Sequence, residues 1–354
     1  MRILVINCGS ATLKYKLFST ARDGMQPLAG GVVEISGGYR AAVADALRAL
    51  PERPEAIAHR VVHGGERLSQ VVAVDTRVLN QLRELGPLAP LHNGPALEGI
   101  EATLGLNLPL VAAFDTAFHH TLPERAWRYA LPGFPGLRRY GFHGWSHRSV
   151  TERYAELAGN PHPTIITLHL GNGCSAAAIQ GGRSIDTSMG YTTLEGLVMG
   201  TRPGDLDPGI VTHLLQQGMR LDRVRDLLHH ESGLKGLAGS HDMRELLART
   251  DEAAALAVEI FCYRILKYVG AYLAVLGGAE AIVFTGGIGE NSPEIRRRVC
   301  EGLRWLGLRI DDSRNGRNEE RISVPGSLVA AYAIRTDEES VIAREAYRLL
   351  VLPH

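Results

Sequence analysis

The chain reads as an α/β protein built from two related halves, and three observations lead there. Apolar, branched runs of strand length alternate with longer stretches of helical periodicity, the pattern of sheets covered by helices. A length of 354 residues suffices for two domains with two cores. The plan of the opening stretch also returns in TIITLHLGNGCSAAAI at 164–179. Each copy is an apolar strand, a turn rich in Asn, Gly and Ser, and a second strand, with G-N-G-C-S standing where N-C-G-S stood.

Ile3–Ile6 opens the first strand. Asn7, Gly9, Ser10 and Thr12 interrupt it, and alternation resumes through Leu13, Tyr15 and Leu17, with Lys14 on the opposite face. Alone, this segment is either an ordinary hairpin or one wall of a ligand site, and its residues do not decide between them. Helical periodicity then covers 41–50, strand-like residues 56–58 and 61–62, helix 77–85, and the apolar run Leu110–Phe114 a strand before a helix over 147–157. The second hairpin opens with Ile165–Leu170. Helices are expected over 211–228 and 253–276, then the strand Ala281–Phe284. A helix over 293–306 has a clear start in Ser292 as N-cap and Pro293 in the first turn. A strand at 329–334 and a helix at 338–351 complete the chain.

Composition removes several function classes. The 38 basic and 38 acidic residues cancel, so the charge footprint of nucleic-acid or membrane-surface binding is missing. Cys8, Cys174, Cys262 and Cys300 are scattered with no C-x-x-C pair, which reads as reduced thiols in a cytoplasmic protein. The N-terminal apolar run is too short for a signal-peptide core, and no long uncharged span suits a membrane. The 40 glycines point to many tight turns or close approaches of backbone to a ligand.

Two polar-tipped hairpins facing each other would make a phosphate site, because small residues let backbone N–H groups reach anionic oxygens. Lys14 would add a point charge. A third glycine-rich turn, FTGGIGENS at 284–292, joins a buried strand to a capped helix and suits an anion or nucleotide. No G-x-x-x-x-G-K-[ST] occurs, and no complete G-x-G-x-x-G follows a strand, which excludes a P-loop or dinucleotide-binding reading by motif. Cys8 and Cys174 sit in the two hairpin turns, no motif supplies them with an activating base, and they read as small fillers. His143 and His147, four apart, have the spacing of zinc ligands on a helix but lack a third ligand.

Ten stretches in this order resemble those of the acetate kinases: VINCGSATLK, HRVVHGGE, PLAPLHN, FDTAFHHTLP, RRYGFHGWSHRSV, LHLGNGCS, DTSMGYTTLEGLVMGTRPGDLDP, ESGLKGLAGSHDMRE, FTGGIGENSPEIR and RTDEE. The resemblance covers nearly the whole chain. It implies the acetate and sugar kinase/Hsp70/actin fold: two duplicated actin-like, ribonuclease H-like domains, each a mixed sheet flanked by helices, with ATP in an inter-domain cleft. The implied domains are 1–118 completed by the C-terminal helix at 337–354, and 119–336 with most of the nucleotide-binding motifs. The implied reaction is reversible ATP-dependent phosphorylation of acetate to acetyl phosphate by direct in-line transfer.

The resemblance also implies roles, residue by residue. Asp115, His143 and Arg202 match catalytic positions, and Arg60 matches the arginine that binds the substrate carboxylate. Val62, Leu91 and Phe142 match a pocket for the methyl group, with Thr193 in place of its usual proline. Lys14 matches a phosphate contact. His169, Leu170, Gly171, Asn172 and Gly173, then Asp242, Met243 and Arg244, then Gly287, Ile288, Gly289, Glu290 and Asn291 match nucleotide-binding segments. Asn7 and Glu338 match the positions of a magnesium ion, with manganese as the alternative. A homodimer is implied by the family. The residue types suit this chemistry, since guanidinium forks bind the oxygens of an anionic acceptor and donor bidentately. A carboxylate nucleophile needs no deprotonation near neutral pH, so Asp115 is read as an orienting group rather than an obligate base.

The chain is shorter than typical members, chiefly between Phe18 and Arg60. Trp145 replaces a usual threonine, Thr12 a usual serine, and HNGP stands where two prolines usually follow HN. These departures leave the reaction class intact and bear on the preferred acid. The competing readings are a propionate or butyrate kinase, and a weakly catalytic nucleotide-binding regulator on the same fold. A regulator need not keep Arg60, Asp115, His143 and Arg202 together, and this chain has all four.

Overall fold

The computed structural model describes residues 1–354 except 10, 22–23, 87–89, 135 and 352–354, and no side chain at 21 or 90–92. The chain divides into two compact units, Met1–His120 with Asp337–His354, and Thr121–Thr336.

The first unit is a six-stranded mixed sheet with helices. Its strands are β1 (Arg2–Cys8), β2 (Thr12–Ala21), β3 (Gly24–Glu34), β4 (Ala56–Val61), β5 (Val72–Ala73) and β6 (Leu110–Phe114), in the order β3-β2-β1-β4-β6-β5. Its helices are α1 (Tyr39–Arg48), α2 (Thr76–Glu84), α3 (Pro90–Thr103) and, from the far end of the sequence, α14 (Glu338–Val351). Ile3, Leu4, Val5 and Ile6 of β1 are all at most 1% exposed. The unbroken apolar run is thus explained: β1 is central, antiparallel to β2 and parallel to β4, and covered on both faces.

The second unit repeats the plan. It contains α4 (Glu124–Trp127), α5 (Gly144–Ala158), β7 (Thr164–Leu170), β8 (Cys174–Gln180), β9 (Arg183–Thr187), α6 (Pro208–Gln216), α7 (Leu221–Asp226), α8 (Gly233–Ala238), α9 (Met243–Ala248), α10 (Glu252–Leu276), β10 (Ala281–Thr285), α11 (Gly286–Asn291), α12 (Pro293–Gly302), α13 (Asp312–Gly316) and β11 (Ala330–Ala333). Its sheet order is β11-β10-β7-β8-β9. In both units an antiparallel three-strand meander (β1–β2–β3, β7–β8–β9) leads into two parallel strands (β4 and β6, β10 and β11). The expected duplicated mixed α/β fold is therefore present, and the repeat seen in sequence is a repeat of topology.

Several elements depart from expectation for local reasons. β3 carries Gly24, Pro27, Gly30 and Gly31, which hide its strand character; it is an edge strand, where proline is tolerated, and its ladder with β2 slips at Leu17/Phe18. α3 contains Pro95 in its interior, so no clean helical pattern shows. Gly99 of that helix is required by packing, since a Cβ there would collide with the Cys8 sulfur. The single helix expected over 211–228 is two, α6 and α7, parted at Gly218 with φ of 88° and followed by a π turn over Leu227–Glu231. The helix expected over 293–306 ends at Gly302, while its start is as anticipated: the Ser292 side chain caps the Ile295 N–H. Among the described residues no helix is long and apolar enough to cross a membrane.

Candidate functional site

In the first unit a charged cluster forms where β4, β6 and α14 bring their ends together. β4 ends beside Arg60, and β6 runs parallel to it, so Asp115 follows the last residue of β6 with its N–H bonded to the Val61 carbonyl at 2.9 Å. The Arg60 guanidinium grips Asp115 bidentately, Nε and Nη2 each donating at 2.7 Å. Nη2 also lies 3.3 Å from Glu338 Oε2, at the first turn of α14. Two residues the chain keeps 278 positions apart in sequence (338 − 60) thus meet in one cluster. Asp115 is 2% exposed, Glu338 13% and Arg60 19%.

The electrostatics of this cluster follow from burial and a shortage of positive charge. Burial pushes the Glu338 carboxyl up to about 7; Asp115 and Glu339 add to the rise, while Arg60 and Lys14 oppose it. For Arg60, burial alone would lower the pKa, but Asp115 and Glu338 more than offset it. Lys14 and Asn7 face each other as ladder partners of β2 and β1, and α14 packs on β1. The cluster offers oxygen donors with more acid than base, which is chemistry suited to a hard divalent cation. Among the described residues, no group of three or more His, Cys, Asp or Glu side chains forms a complete metal cage. Magnesium fits such a site, because it commonly takes one or two protein oxygens and completes its shell with water and phosphate.

In the second unit the arrangement consists of imidazoles and hydroxyls with one arginine. His143 caps the start of α5 with a left-handed backbone, φ 56° and ψ 28°, unusual for a non-glycine residue. Its Nδ1 lies 3.0 Å from Ser175 Oγ, and His147 Nε2 lies 2.7 Å from the same oxygen. His147 Nδ1 reaches Thr167 Oγ1 at 2.7 Å. His169 stacks on His143 with centroids 4.1 Å apart, and its Nδ1 contacts Ser146 Oγ at 2.7 Å. Both ring nitrogens of His147 therefore engage hydroxyls, which removes the zinc-ligand alternative for the 143/147 pair.

Arg202 stands beside this network. Its Nη1 donates to the Thr193 carbonyl at 2.9 Å. Burial lowers its pKa, and no carboxylate pairs with it among the described residues. Gly173, in the β7–β8 turn, is what admits the arginine: a Cβ there would sit 2.6 Å from Arg202 Nη2 and 3.3 Å from the His143 ring. A partly buried guanidinium without an acid, next to imidazoles and an open glycine turn, is a receptor for an anion.

The glycine-rich segments of this unit also converge. Gly171 lies beside the Gly287 N–H, 3.8 Å from where its Cβ would be, and Gly286 has φ of 76° with the Leu170 carbonyl closing the space above it. Segment 169–173 and α11 thus adjoin, with Asn172 and Gly287 exposed and Leu170 and Gly289 buried. Ile288 is half-buried, and the Asn291 side chain donates to the Gly287 carbonyl at 3.0 Å. Glu290 does not point outward: its Oε1 accepts from groups of its own unit. Asp242 and Arg244 pair with each other at the start of α9, and Met243 is buried. That ion pair holds the Asp242 carboxyl down at about 2.

The remaining expected positions divide between the units. Val62, half-buried after β4, belongs to the first, and the side chain of Leu91 lies outside the described residues. Phe142 and Thr193, both buried, belong to the second. Burial pushes Cys8 and Cys174 up to about 12, which agrees with their reading as inert fillers. Ser146, Thr167 and Ser175, which bond His143, His147 and His169, are not among the residues the sequence singles out, and His147 is singled out there for its zinc-like spacing alone. One signal was available for Ser175: it faces His169 in the β7–β8 ladder as Lys14 faces Asn7 in β1–β2.

Comparison with known proteins gives this arrangement its context. The model of the Acetokinase family matches residues 41–344. The chain belongs to the acetokinase family. It is 44% identical to the acetate kinase of Chloroherpeton thalassium, with 99% of each chain covered. Among solved structures it is similar to a propionate kinase from Francisella tularensis, with a TM-score of 0.92, 38% identity, and 97% and 98% of the two chains covered. It is also similar to the Porphyromonas gingivalis acetate kinase, with a TM-score of 0.90, 39% identity and 99% of each chain covered. This acetokinase-family protein is thus an enzyme, a phosphotransferase whose acceptor is a carboxyl group.

Proposed function

We propose that the enzyme transfers the γ-phosphoryl group of ATP to acetate, reversibly, with propionate as a slower second substrate. The observation that carries this proposal is the pairing of two different arginine environments. Arg60 is held by Asp115 through Nε and Nη2, which leaves its Nη1 end to receive a carboxylate. Among the described residues Arg202 has a carbonyl for a partner and no acid, and it suits the phosphoryl oxygens. One oxygen of the acid attacks the γ-phosphorus, the new acyl–O–P bond forms, and the bond to the ADP oxygen breaks, its electron pair leaving with ADP. No proton need move, so Asp115 serves to fix the Arg60 fork. His143, oriented by Ser175, donates to the phosphoryl oxygens, and Arg202 neutralises the charge that grows there.

Glu338 and Asn7 would hold magnesium, which supplies charge neutralisation on the phosphates. Lys14 adds to it. The turns 169–173 and 286–289 receive the nucleotide, and Asp242–Arg244 border it. The protein acts in the cytoplasm as a homodimer, a proposal that rests on the family resemblance and that light scattering measures. Acetyl phosphate trapped as the hydroxamate, with acetate, propionate and butyrate compared at equal concentration, tests the reading. Acetate is expected to be best and propionate second. Preference for butyrate would move the assignment to a longer-chain kinase, and no product with any short acid would favour a regulator.

Thr193 is the residue on which acid preference turns. It is buried, and its carbonyl holds Arg202. Thr193→Pro keeps that carbonyl but exchanges a hydroxyl for a ring, so the acetate-to-propionate ratio of kcat/KM should shift within about tenfold while activity persists. A single methylene is worth roughly 10–200-fold in such pockets. An unchanged ratio would remove Thr193 from the acid pocket.

A further inference from the structure

Glu290 lies in the motif GGIGENS, which the family resemblance assigns to nucleotide contact, yet its carboxylate is turned into its own unit. A single oxygen, Oε1, accepts three hydrogen bonds: from the Thr285 hydroxyl at 3.2 Å, the Gly286 N–H at 3.0 Å and the Thr336 N–H at 3.1 Å. No lysine or arginine pairs with it among the described residues. The first two donors form the entry to α11, where Gly286 needs its positive φ. The third is the last residue of the second unit, after which the chain passes to Asp337 and Glu338 of the first.

We propose that Glu290 is a positioning residue that ties the nucleotide turn at 285–289 to the chain crossing at 336–338. The proposal rests on the reading of that turn as nucleotide-binding. Three features make the tie specific. β11 is laddered to β10 through Ala333, and the Ile334 N–H still bonds to the Phe284 carbonyl at 2.9 Å. Beyond that point Glu290 holds the Thr336 N–H, while the Thr336 hydroxyl is buried without a partner among the described residues. At its other end α11 is held by the buried Arg296, whose Nη1 donates to the Gly289 and Glu290 carbonyls at 2.8 Å each. With both ends of α11 fixed, a ligand that orders or shifts Gly287 and Ile288 acts through Oε1 on Thr336. Glu338, in the Arg60 cluster, is two residues further on. One charged acceptor shared by three donors is a short, stiff link of the kind that carries coupling between sites.

Hydrogen exchange read by mass spectrometry on the full-length protein, with and without saturating ADP, tests this. In the wild type, ADP should slow exchange both at 285–291 and at 335–340, the latter by roughly tenfold, the scale of a 1.4 kcal/mol coupling. Thr336→Pro removes one donor and leaves the Glu290 contacts within the turn in place. It should keep the protection at 285–291 and lose that at 335–340. Glu290→Ala should lose the response at 335–340 also, and Glu290→Gln, which keeps an acceptor oxygen, should recover part of it. ADP protection at neither segment in the wild type would overturn the nucleotide reading itself. Protection at 285–291 alone in the wild type, or an undiminished response at 335–340 in Thr336→Pro, would overturn the tie while leaving that reading standing.

Discussion

The two hairpins, β1–β2 and β7–β8, share strand order and antiparallel pairing but hold opposite kinds of chemistry. In the first, Asn7 faces Lys14 across the ladder, near a partly buried cluster of Arg60, Asp115 and Glu338 in which every member is ionisable. In the second, His169 faces Ser175, and the network around it consists of imidazoles and hydroxyls with one arginine that no acid among the described residues neutralises. Duplication thus supplied two copies of a scaffold that presents side chains at the same place, and substitution made one copy acid-rich and the other anion-seeking. Function on a shared fold lives in such grafted side chains.

The largest expected effect breaks the second half. Arg202→Ala removes the unpaired guanidinium and should lower kcat by about 100- to 1,000-fold, the scale for a donor aimed at charge developing in the transition state. Stopped-time assays of acyl phosphate formation measure it, and a loss under threefold would contradict the role.

Glycine substitutions sharpen the same comparison. Gly173→Ala would press a methyl against Arg202 Nη2 and His143, and misplacement on this scale lowers turnover by roughly 10- to 100-fold. The far end of an arginine can yield, so the melting temperature should move little. At Gly9, in the first hairpin turn, a Cβ would meet the Thr12 carbonyl at 3.2 Å and no catalytic group. Gly9→Ala should leave kcat within threefold or so of wild type. Equal kinetic losses in both variants would show that the two turns are alike in chemistry as well as in shape.

A smaller effect concerns the first unit and pH. His59 on β4 is 1% exposed, contacts Thr103 Oγ1 at 2.9 Å, and is held neutral, burial pulling its pKa down to about 3. Its folded value lies below the unfolded value of about 6.5, so the unfolded chain takes up the proton first. Stability is full above about pH 6.5 and declines as pH falls toward 3, by about 1.4 kcal/mol per pH unit from this group. Urea titrations of His59→Gln should show a correspondingly flatter acid limb. Parallel limbs in mutant and wild type would exclude His59 as the cause.

What could be seen in the sequence follows from which forces act locally. Strands such as β1, β7 and β10 are buried on both faces and announce themselves as apolar runs. α12 announces its start because Ser292 caps it and Pro293 fits its first turn. β3 and α3 gave no such signal: an edge strand tolerates Pro27, and α3 holds Pro95 in its interior and keeps Gly99 for the sake of the Cys8 sulfur. For the site, the family resemblance named Arg60, Asp115 and Glu338. Only the fold reveals that the arginine is already bound by one acid and touched by the other, since that depends on the parallel pairing of β4 with β6 and on the return of α14. Ser175 and Thr167 are ordinary strand residues until the start of α5 sets His143 and His147 against them. Glu290 shows the limit of a motif, which names a residue without saying which way its carboxylate turns.

The central claim is that the two units divide the work, the Arg60 cluster receiving the acid and the Arg202 network stabilising the moving phosphoryl. Steady-state kinetics of Arg60→Ala and Arg202→Ala, with acetate varied at saturating magnesium and ATP, test it most directly. Arg60→Ala should raise the KM for acetate at least tenfold with the smaller change in kcat, and Arg202→Ala should lower kcat with the smaller change in KM, since only interactions stronger in the transition state raise turnover. The same parameter moving in both variants, or near-normal kinetics in either, would contradict the division.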